Sequence, residues 1–258
     1  MLRYSFLFEQ MCRRELRQKY KGSVLGVVWY FINPLVLMGV YALVFSVMLK
    51  VIDIPDYPLF LILGLIVWVF FAQSLVAAAP SLVQNDRLIR KVQFPREVIP
   101  ASSAMVQFAT FLIMLVIVLP IALIIRGTLD PALLFLVPVV LCLFALVLGA
   151  TLAASVLHAH YRDVEPVLAA ALLPWFFITP IFFQTEQLPG ATEYPLIADA
   201  LTWGNPIAPF VASVREILYA GAVPSVGQLA YVFVAGFGSL ALGWLLFRRL
   251  QRDLAVIL

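Results

Sequence analysis

A short charged stretch interrupts an otherwise almost continuously apolar sequence: Asn85-Asp86-Arg87-Leu88-Ile89-Arg90-Lys91-Val92-Gln93-Phe94-Pro95-Arg96-Glu97. Asn85 or Asp86 can cap a helix of one to two turns, and Pro95 stops it. Helical spacing places Leu88, Ile89 and Val92 on one apolar face. The cations Arg87, Arg90 and Lys91 point elsewhere. A short helix with an apolar face must rest on another surface, and the rest of the sequence indicates what that surface is.

The composition is that of an integral membrane protein. Of the 258 residues, 64% are hydrophobic and only 12% are charged, and the mean hydropathy is +1.03. A soluble domain carries about 25% charged residues. The net charge of +3 gives no reason to expect nucleic acid as a partner. Cys12 and Cys142 have no metal-ligand neighbours, so we expect no metal site and no disulfide.

Apolar runs of about 20 residues or more predict six transmembrane helices. The runs are Gly22–Leu49, Tyr57–Asn85, Val98–Ile125, Pro131–Leu157, Pro166–Thr185 and a last span at about 226–247. Residues 4–21 predict an amphipathic helix in the headgroup layer, with basic residues opposite its apolar face. A positive flank that merely orients the first span is the alternative. The predicted fold is therefore all-α, a single transmembrane domain over residues 1–258.

Lysine and arginine predict the orientation. Of the 17 such residues, 14 lie in the N-terminal segment, the 85–97 loop, the loop after the fourth span, or the C-terminus. The opposite side has only Lys50, Arg126 and Arg215. By the positive-inside rule, both termini and the 85–97 loop are cytoplasmic.

The segment 184–216 between the last two spans is unusually apolar for a loop. Gly204-Asn205-Pro206 and Pro209 make a full span improbable there. Two short helices that dip into the outer leaflet fit this pattern, and a plain outer loop is the alternative.

Two absences bear on function. The middle of each predicted span contains no Asp, Glu, Lys, Arg or His, which argues against ion-coupled transport. No G-x-x-x-x-G-K-[ST] motif occurs, so the chain binds no ATP by a P-loop. The cluster from His158 to Glu165 could serve catalysis on a lipid phosphate, but it also fits an ordinary helix boundary at which Asp163 caps a helix with Pro166 in its first turn. If the protein transports a substrate against its gradient, another polypeptide must supply the energy. The 85–97 segment is then either the docking element for that polypeptide or a solvated loop.

Several motifs in order along the chain resemble one family. They are Arg17 with Tyr20-Lys21-Gly22-Ser23-Val24-Leu25-Gly26-Val27-Val28-Trp29, Asn33-Pro34, Leu88-Ile89-Arg90-Lys91, Phe94-Pro95-Arg96-Glu97, Tyr161-Arg162-Asp163-Val164, Thr179-Pro180-Ile181-Phe182 and Asn205-Pro206. Together they are similar to the membrane subunits of type-2 ABC exporters, in the group that exports O-antigen and teichoic-acid polysaccharides.

The resemblance implies a homodimer of six-span subunits bound to two copies of a separate cytoplasmic ABC ATPase, in the bacterial inner membrane. ATP and Mg would bind that partner, and this chain would hold no cofactor. The first cytoplasmic loop would be a coupling helix on the ATPase, residues 4–21 an interface helix beside it, and 184–216 an outer gate. Energy coupling would fall to Asp86, Arg87, Leu88, Ile89, Arg90, Lys91, Phe94, Arg96 and Glu97.

The cargo implied by the resemblance is an undecaprenyl-linked glycan. Aromatic rings suit such a cargo because sugars pack their C–H faces on rings and can slide along them. The candidates for the substrate path are Trp29, Tyr30, Tyr41, Phe45, Trp175, Phe176 and Phe182. The same rings are also explained by the ordinary Trp and Tyr belts at membrane interfaces and by Phe side chains that face lipid. Arg17, Lys19 and Lys21 are candidates for lipid-phosphate contact, or for snorkelling to an anionic leaflet. A type-2 exporter of a small amphiphile, a polytopic enzyme on polyprenyl phosphates and a membrane scaffold remain the alternatives.

Overall fold

The computed structural model describes residues 5–19, 28–44, 54–127, 130–184, 195–252 and 254. Every regular element in these ranges is helical. In chain order the helices are α1 (Ser5–Lys19), α2 (Trp29–Ala42), α3 (Tyr57–Ala78), α4 (Ser81–Gln84), α5 (Asp86–Lys91), α6 (Val98–Arg126), α7 (Leu136–His160), α8 (Val164–Ile178), α9 (Pro195–Trp203), α10 (Ala208–Arg215) and α11 (Val226–Leu250). A 3-10 turn, Pro131–Phe135, leads into α7, and a π-helical turn, Glu216–Ala220, follows α10.

Four of the described helices are long and apolar enough to cross a membrane. They are Tyr57–Ala78, Val98–Arg126, Pro131–His160 and Val226–Leu250. At about 1.5 Å per residue, each is long enough for a hydrocarbon core of about 30 Å. The last of them begins at the predicted residue, because the Ser225 side chain accepts a hydrogen bond from the Gln228 backbone N–H and caps the helix.

The fifth apolar helix is shorter than the sequence predicted. The predicted span was Pro166–Thr185, whereas α8 has 15 residues and ends at Ile178. Pro180 is the cause, since a residue before proline avoids the helical region, and Thr179 is extended (φ −74°, ψ 133°). The second predicted span, Tyr57–Asn85, also ends early, because α3 stops at Ala78 and α4 follows as a separate turn.

The first predicted span, Gly22–Leu49, is described only in part. Its helix α2 covers Trp29–Ala42 and continues directly into Leu43. Positions 22–27 and 45–49 lie outside the described residues.

Helix α3 occupies the centre of the bundle. It is apolar around its whole circumference, and most of its side chains are buried against α2, α6, α7, α8 and α10. A helix that is hydrophobic on all sides is stable where other helices surround it. The sequence of α3 therefore determines its central position.

Helices α7 and α11 form the most extensive helix pair of the described bundle. Glycines permit this contact: a Cβ added at Gly243 would overlap the backbone of Gly149, and one at Gly236 would overlap that of Cys142. Between them, Ser239 Oγ donates a 2.9 Å hydrogen bond to the Leu146 carbonyl. Small residues at a crossing let two backbones approach closely, so α7 and α11 behave as one body.

The two ends of the bundle differ. We call the end that holds α1, α4 and α5 the basal end, and the end that holds α9 and α10 the distal end. Met11 of α1 and Leu254 near the end of the chain belong to one buried apolar cluster, so both lie at the basal end.

Candidate functional site

Helix α5 is the core of the predicted coupling segment. It begins after Asn85, whose side chain does not cap it but donates from Nδ2 to the Ser81 carbonyl at 2.8 Å. Asp86 lies in the first turn, and Arg90 and Lys91 lie in the last, which suits the helix dipole at both ends. The helix ends at Lys91, ahead of Pro95.

The apolar face of α5 rests on the chain itself. Ile89 is 5% exposed and belongs to the basal cluster, which consists of Met11, Leu82, Ile89, Ile99, Leu152, Val156, Ala159, Phe247 and Leu254. Leu88 and Phe94 pack on the edge of this cluster. Val92 was predicted on the same face, and that prediction was wrong: Val92 follows the helix in extended backbone and is 48% exposed.

The exposed surface of the segment is cationic. Arg87, Arg90 and Lys91 are exposed, whereas Asp86, Arg96 and Glu97 are half-buried. Arg96 is held by its own chain, because its Nη1 donates to the backbone carbonyl of Gln251 just after α11. The segment thus presents charge outward and apolar surface inward.

Helix α1 contacts the residue just before α5 and the start of α6. Arg14 Nη1 donates to Asn85 Oδ1 at 3.2 Å, and Ser103 Oγ at the start of α6 donates to the Glu15 carboxylate. Burial, together with the negative charge of Glu15, raises the pKa of the Cys12 thiol to about 11. These contacts join α1 to Asn85, just before α5, and to α6.

The residues predicted to contact lipid phosphate lie on or after α1. Arg17 is exposed on the helix, and Lys19 is its last residue. Lys21 lies outside the described residues.

Four of the aromatic residues predicted for the substrate path, Tyr41, Trp175, Phe176 and Phe182, lie in one aromatic cluster. The cluster also contains Trp68, Phe71 and Phe177. The Tyr41 and Phe182 ring centroids are 4.7 Å apart, and those of Tyr41 and Phe176 are 5.9 Å apart. Phe176 and Phe182 are only 7% and 3% exposed. Both rings therefore pack against other rings of the chain.

Other predicted path residues lie apart from this cluster or cannot be described. Trp29 is 51% exposed at the start of α2. Tyr30 also lies on α2, but its side chain is outside the description, as is the whole of Phe45.

At the distal end, Arg215 is buried and connects three parts of the chain. Its guanidinium donates to the carbonyls of Phe60, Pro180 and Ile181 at 2.5–3.0 Å and lies 3.4 Å from the centroid of the Phe60 ring. Burial lowers the pKa of Arg215 to about 9, which still leaves it charged at neutral pH. Gly64 leaves room for it, because a Cβ there would lie 2.5 Å from Nη2.

A second polar group joins α8 to the turn before α10. The indole Nε1 of Trp175 donates to Asn205 Oδ1 at 3.0 Å, and Asn205 Nδ2 donates to Thr179 Oγ1 at 2.9 Å. Asn205 Oδ1 also accepts from the Ile207 backbone N–H at 3.2 Å. The motifs around Thr179-Pro180 and Asn205-Pro206 thus meet in space through one buried amide.

Comparison with known proteins identifies the family to which this helical architecture belongs. The family described as ABC-2 type transporter matches residues 7–219, from α1 to the π-helical turn after α10. This chain belongs to that family.

Curated relatives of this ABC-2 type transporter cover nearly its whole length. An O-antigen export system permease protein RfbA from Klebsiella pneumoniae is 30% identical over 248 residues, which cover 95% of this chain and 92% of the relative. A protein of the same name from Myxococcus xanthus is 30% identical over 232 residues, covering 89% and 86%. A further Klebsiella pneumoniae protein with that name is 28% identical over 248 residues.

Membership of the ABC-2 family makes this chain a membrane component of a transporter, which argues against the enzymatic alternative at His158 to Glu165. There, His158 Nε2 lies 3.6 Å from Glu165 Oε2, and Asp163 precedes α8 without a side-chain cap. No group of three or more metal-ligating side chains occurs among the described residues. The cluster marks a helix boundary of the transporter.

Sequence reasoning missed three polar residues of this ABC-2 chain. Arg215 was counted only as an outer cation, although an arginine inside an apolar stretch signals a buried partner. Gln73 and Gln107 lie within α3 and α6, where an uncharged amide in an apolar run gives a weaker sequence signal than an ionisable side chain does.

Proposed function

We propose that this chain is the membrane subunit of an ATP-driven exporter that moves lipid-linked polysaccharide of the O-antigen type across the bacterial inner membrane. The observation that carries this proposal is the similarity to three O-antigen export permeases over 89–95% of the chain. A match of that extent includes both α5 and the aromatic cluster, so it is not confined to the common membrane scaffold.

The energy for export comes from two copies of a separate cytoplasmic ABC ATPase bound to a homodimer of this chain. ATP and Mg bind that partner, since the 258 residues contain no P-loop motif. Each subunit has six spans, formed by the four long helices together with α2 and α8. The short α9 and α10 make the outer gate region within 184–216.

The basal end faces the cytoplasm, with both termini on that side. The distribution of lysine and arginine supports this orientation, since 14 of 17 lie in the sequence segments predicted to be cytoplasmic. The exposed cations Arg87, Arg90 and Lys91 then meet the ATPase, while Ile89 transmits its movement to the basal cluster. A charged outer face and an apolar inner face are what such a coupling element requires.

The glycan follows the exposed aromatic surface rather than the buried rings. Trp29, Tyr41 and Trp175 retain accessible surface and contact the sugars, whereas the buried Phe176 and Phe182 pack against Tyr41. Arg17, Lys19 and Lys21 contact the undecaprenyl phosphate groups at the headgroup layer.

Deletion and complementation in the source cell test the proposed function. Removing the gene should abolish surface glycan and accumulate lipid-linked glycan inside, and the wild-type chain should restore export. Glycan is measured by electrophoresis of lipopolysaccharide and by surface immunolabelling. Unchanged surface glycan in the deletion strain refutes the proposal and favours export of a small amphiphile.

The coupling role is tested on the exposed face of α5, because Ile89 is buried and its replacement would damage the fold. A triple variant with Arg87, Arg90 and Lys91 changed to Glu should lose the ATPase on co-purification and lose export. A matched variant reverses the exposed cations Arg248 and Arg249 at the end of α11 and should keep both. If the α5 variant still binds the ATPase and exports glycan, α5 is not the coupling element.

A further inference from the structure

A polar cavity of about 630 Å³ opens at the basal end, within a single subunit. It lies between α1, the basal halves of α3 and α6, the α4–α5 turn and the start of α8. Its walls carry four side-chain amides: Gln73, Gln84, Asn85 and Gln107. The size falls in the range of about 300–1,000 Å³ that ligand sites occupy.

Two of these amides lie inside membrane helices, where polar groups are costly unless they have a polar partner. Gln73 is exposed on α3, a helix otherwise nearly all buried, and Gln107 is 5% exposed on α6. Within the described ranges, Gln73 and Gln84 have no hydrogen-bond partner for their amides. Water or a ligand in the cavity would hydrogen-bond to the Gln73 amide and so offset the free-energy cost of placing this polar group in a membrane helix.

Gln73 and Gln107 line both this cavity and a neighbouring void. The void is smaller, about 30 Å³, and its other walls include Pro34 of α2 and Met114 of α6. The polar cavity and the mostly apolar void between α2, α3 and α6 therefore adjoin at these two amides.

The charges on the walls disfavour a phosphate ligand. Arg14 is the only cation among the lining residues that the structure describes, and it already donates to Asn85. Two carboxylates, Glu15 and Glu165, face the same space, so the described part of the walls carries a net negative charge at neutral pH. Amides and carboxylates hydrogen-bond to hydroxyl groups, whereas a pyrophosphate would be repelled.

We propose that this cavity binds a neutral, polyhydroxylated segment of the cargo, through the amides of Gln73, Gln84 and Gln107. The ligand class is a short oligosaccharide, and the phosphate groups of the lipid link lie outside the cavity. This inference rests on the proposed function, since it assigns the site at which the subunit holds the sugars before export.

The test uses the purified chain in lipid nanodiscs and two probes. One probe is oligosaccharide released by mild acid from the source cell's own lipopolysaccharide, and the other is inorganic pyrophosphate. Saturation-transfer NMR should show the sugar protons in contact with the wild-type chain. Gln73→Leu should weaken this binding by about tenfold, the loss of one hydrogen bond to a ligand. Gln10→Leu, at an exposed position on α1, is the matched control.

Pyrophosphate distinguishes the two ligand chemistries. It should not displace the oligosaccharide, and Glu165→Lys, which adds a cation to the wall, should weaken sugar binding. Displacement by pyrophosphate, or tighter pyrophosphate binding alone in Glu165→Lys, overturns the proposal. So does unchanged sugar binding in Gln73→Leu, whose exposed position keeps the core intact.

Failure of the proposed function gives a different pattern. In that case the deletion strain keeps its surface glycan, and the wild-type chain shows no sugar contact at all. If the deletion strain loses its glycan but Gln73→Leu exports and binds normally, the exporter is correct and only the cavity assignment is wrong.

Discussion

Replacing Arg215 by Met should destabilise the distal end more than any exposed arginine replacement does. The guanidinium is the donor for three backbone carbonyls, those of Phe60, Pro180 and Ile181. The Phe60 carbonyl lies within α3, where the helix itself can provide a donor, but the other two lie in the turn after α8. Methionine fills the space of the side-chain stem and leaves those two carbonyls without this donor.

The magnitude follows from the two turn carbonyls. Each buried acceptor that loses its donor costs about 1–3 kcal/mol, so the variant should lose about 2–6 kcal/mol. Stacking of the guanidinium on the Phe60 ring contributes up to about 2 kcal/mol more when desolvated. By the scaling of soluble domains, about 2–4 °C per kcal/mol, the Tm should fall by about 10 °C.

The assay is thermal unfolding of the detergent-solubilised chain, followed by size-exclusion chromatography with fluorescence detection. Arg162→Met is the matched control, because Arg162 is exposed at the basal end, and its Tm should stay within about 2 °C of wild type. Gly64→Ala is an independent perturbation, since its Cβ would lie 2.5 Å from Arg215 Nη2 and displace the guanidinium. If Arg215→Met has the same Tm as the Arg162→Met control, the hydrogen bonds of Arg215 contribute nothing to stability and the reasoning is refuted.

Two further predictions test the packing of α7 on α11 and the environment of α1. Gly243→Leu should destabilise the chain by about 3 kcal/mol or more, because a Cβ at this position overlaps the backbone of Gly149. The control is Gly238→Leu, which has open space around it and should have a Tm near that of wild type. Equal Tm values for the two variants would contradict the close packing. In a Cys142→Ala background, iodoacetamide should label Cys12 at pH 8 about 100-fold more slowly than it labels a thiol of pKa 9, because the raised pKa keeps the Cys12 thiol protonated. The labelling rate should still rise at pH 10. A labelling rate that levels off near pH 9 would contradict the burial of Cys12.

The membrane helices could be read from the sequence because their signal is long and local. An apolar run of about 20 residues without an internal helix stop predicts a spanning helix from local sequence alone, and α6, α7 and α11 lie close to where they were predicted. The early end of α8 was also readable, since Thr179-Pro180 is a local helix stop that the apolar run concealed.

The surroundings of the side chains could not be read in this way. Amphipathic spacing identified an apolar face on α5, but spacing alone does not say which surface covers Ile89. The basal cluster that covers it draws on six separate segments of the chain. The partners of Arg215 likewise come from positions more than 30 residues away. Ring composition could not separate the buried Phe176 from the exposed Trp29, because both kinds of position favour aromatics.

If α5 is the coupling element, the packing around it limits how its movement can reach the other helices. Ile89 contacts the same basal cluster as Phe247 of α11 and Val156 of α7, and close glycine contacts hold α7 and α11 together as one body. A displacement of α5 should therefore move this pair as a unit rather than bend either helix. At the distal end α10 packs on α3, α7 and α11, and Arg215 fixes it to α3 and to the turn after α8. The hydrogen bonds of Trp175 and Thr179 to Asn205 also attach the end of α8 to the turn before α10, so any shift of α8 against this body would have to break them.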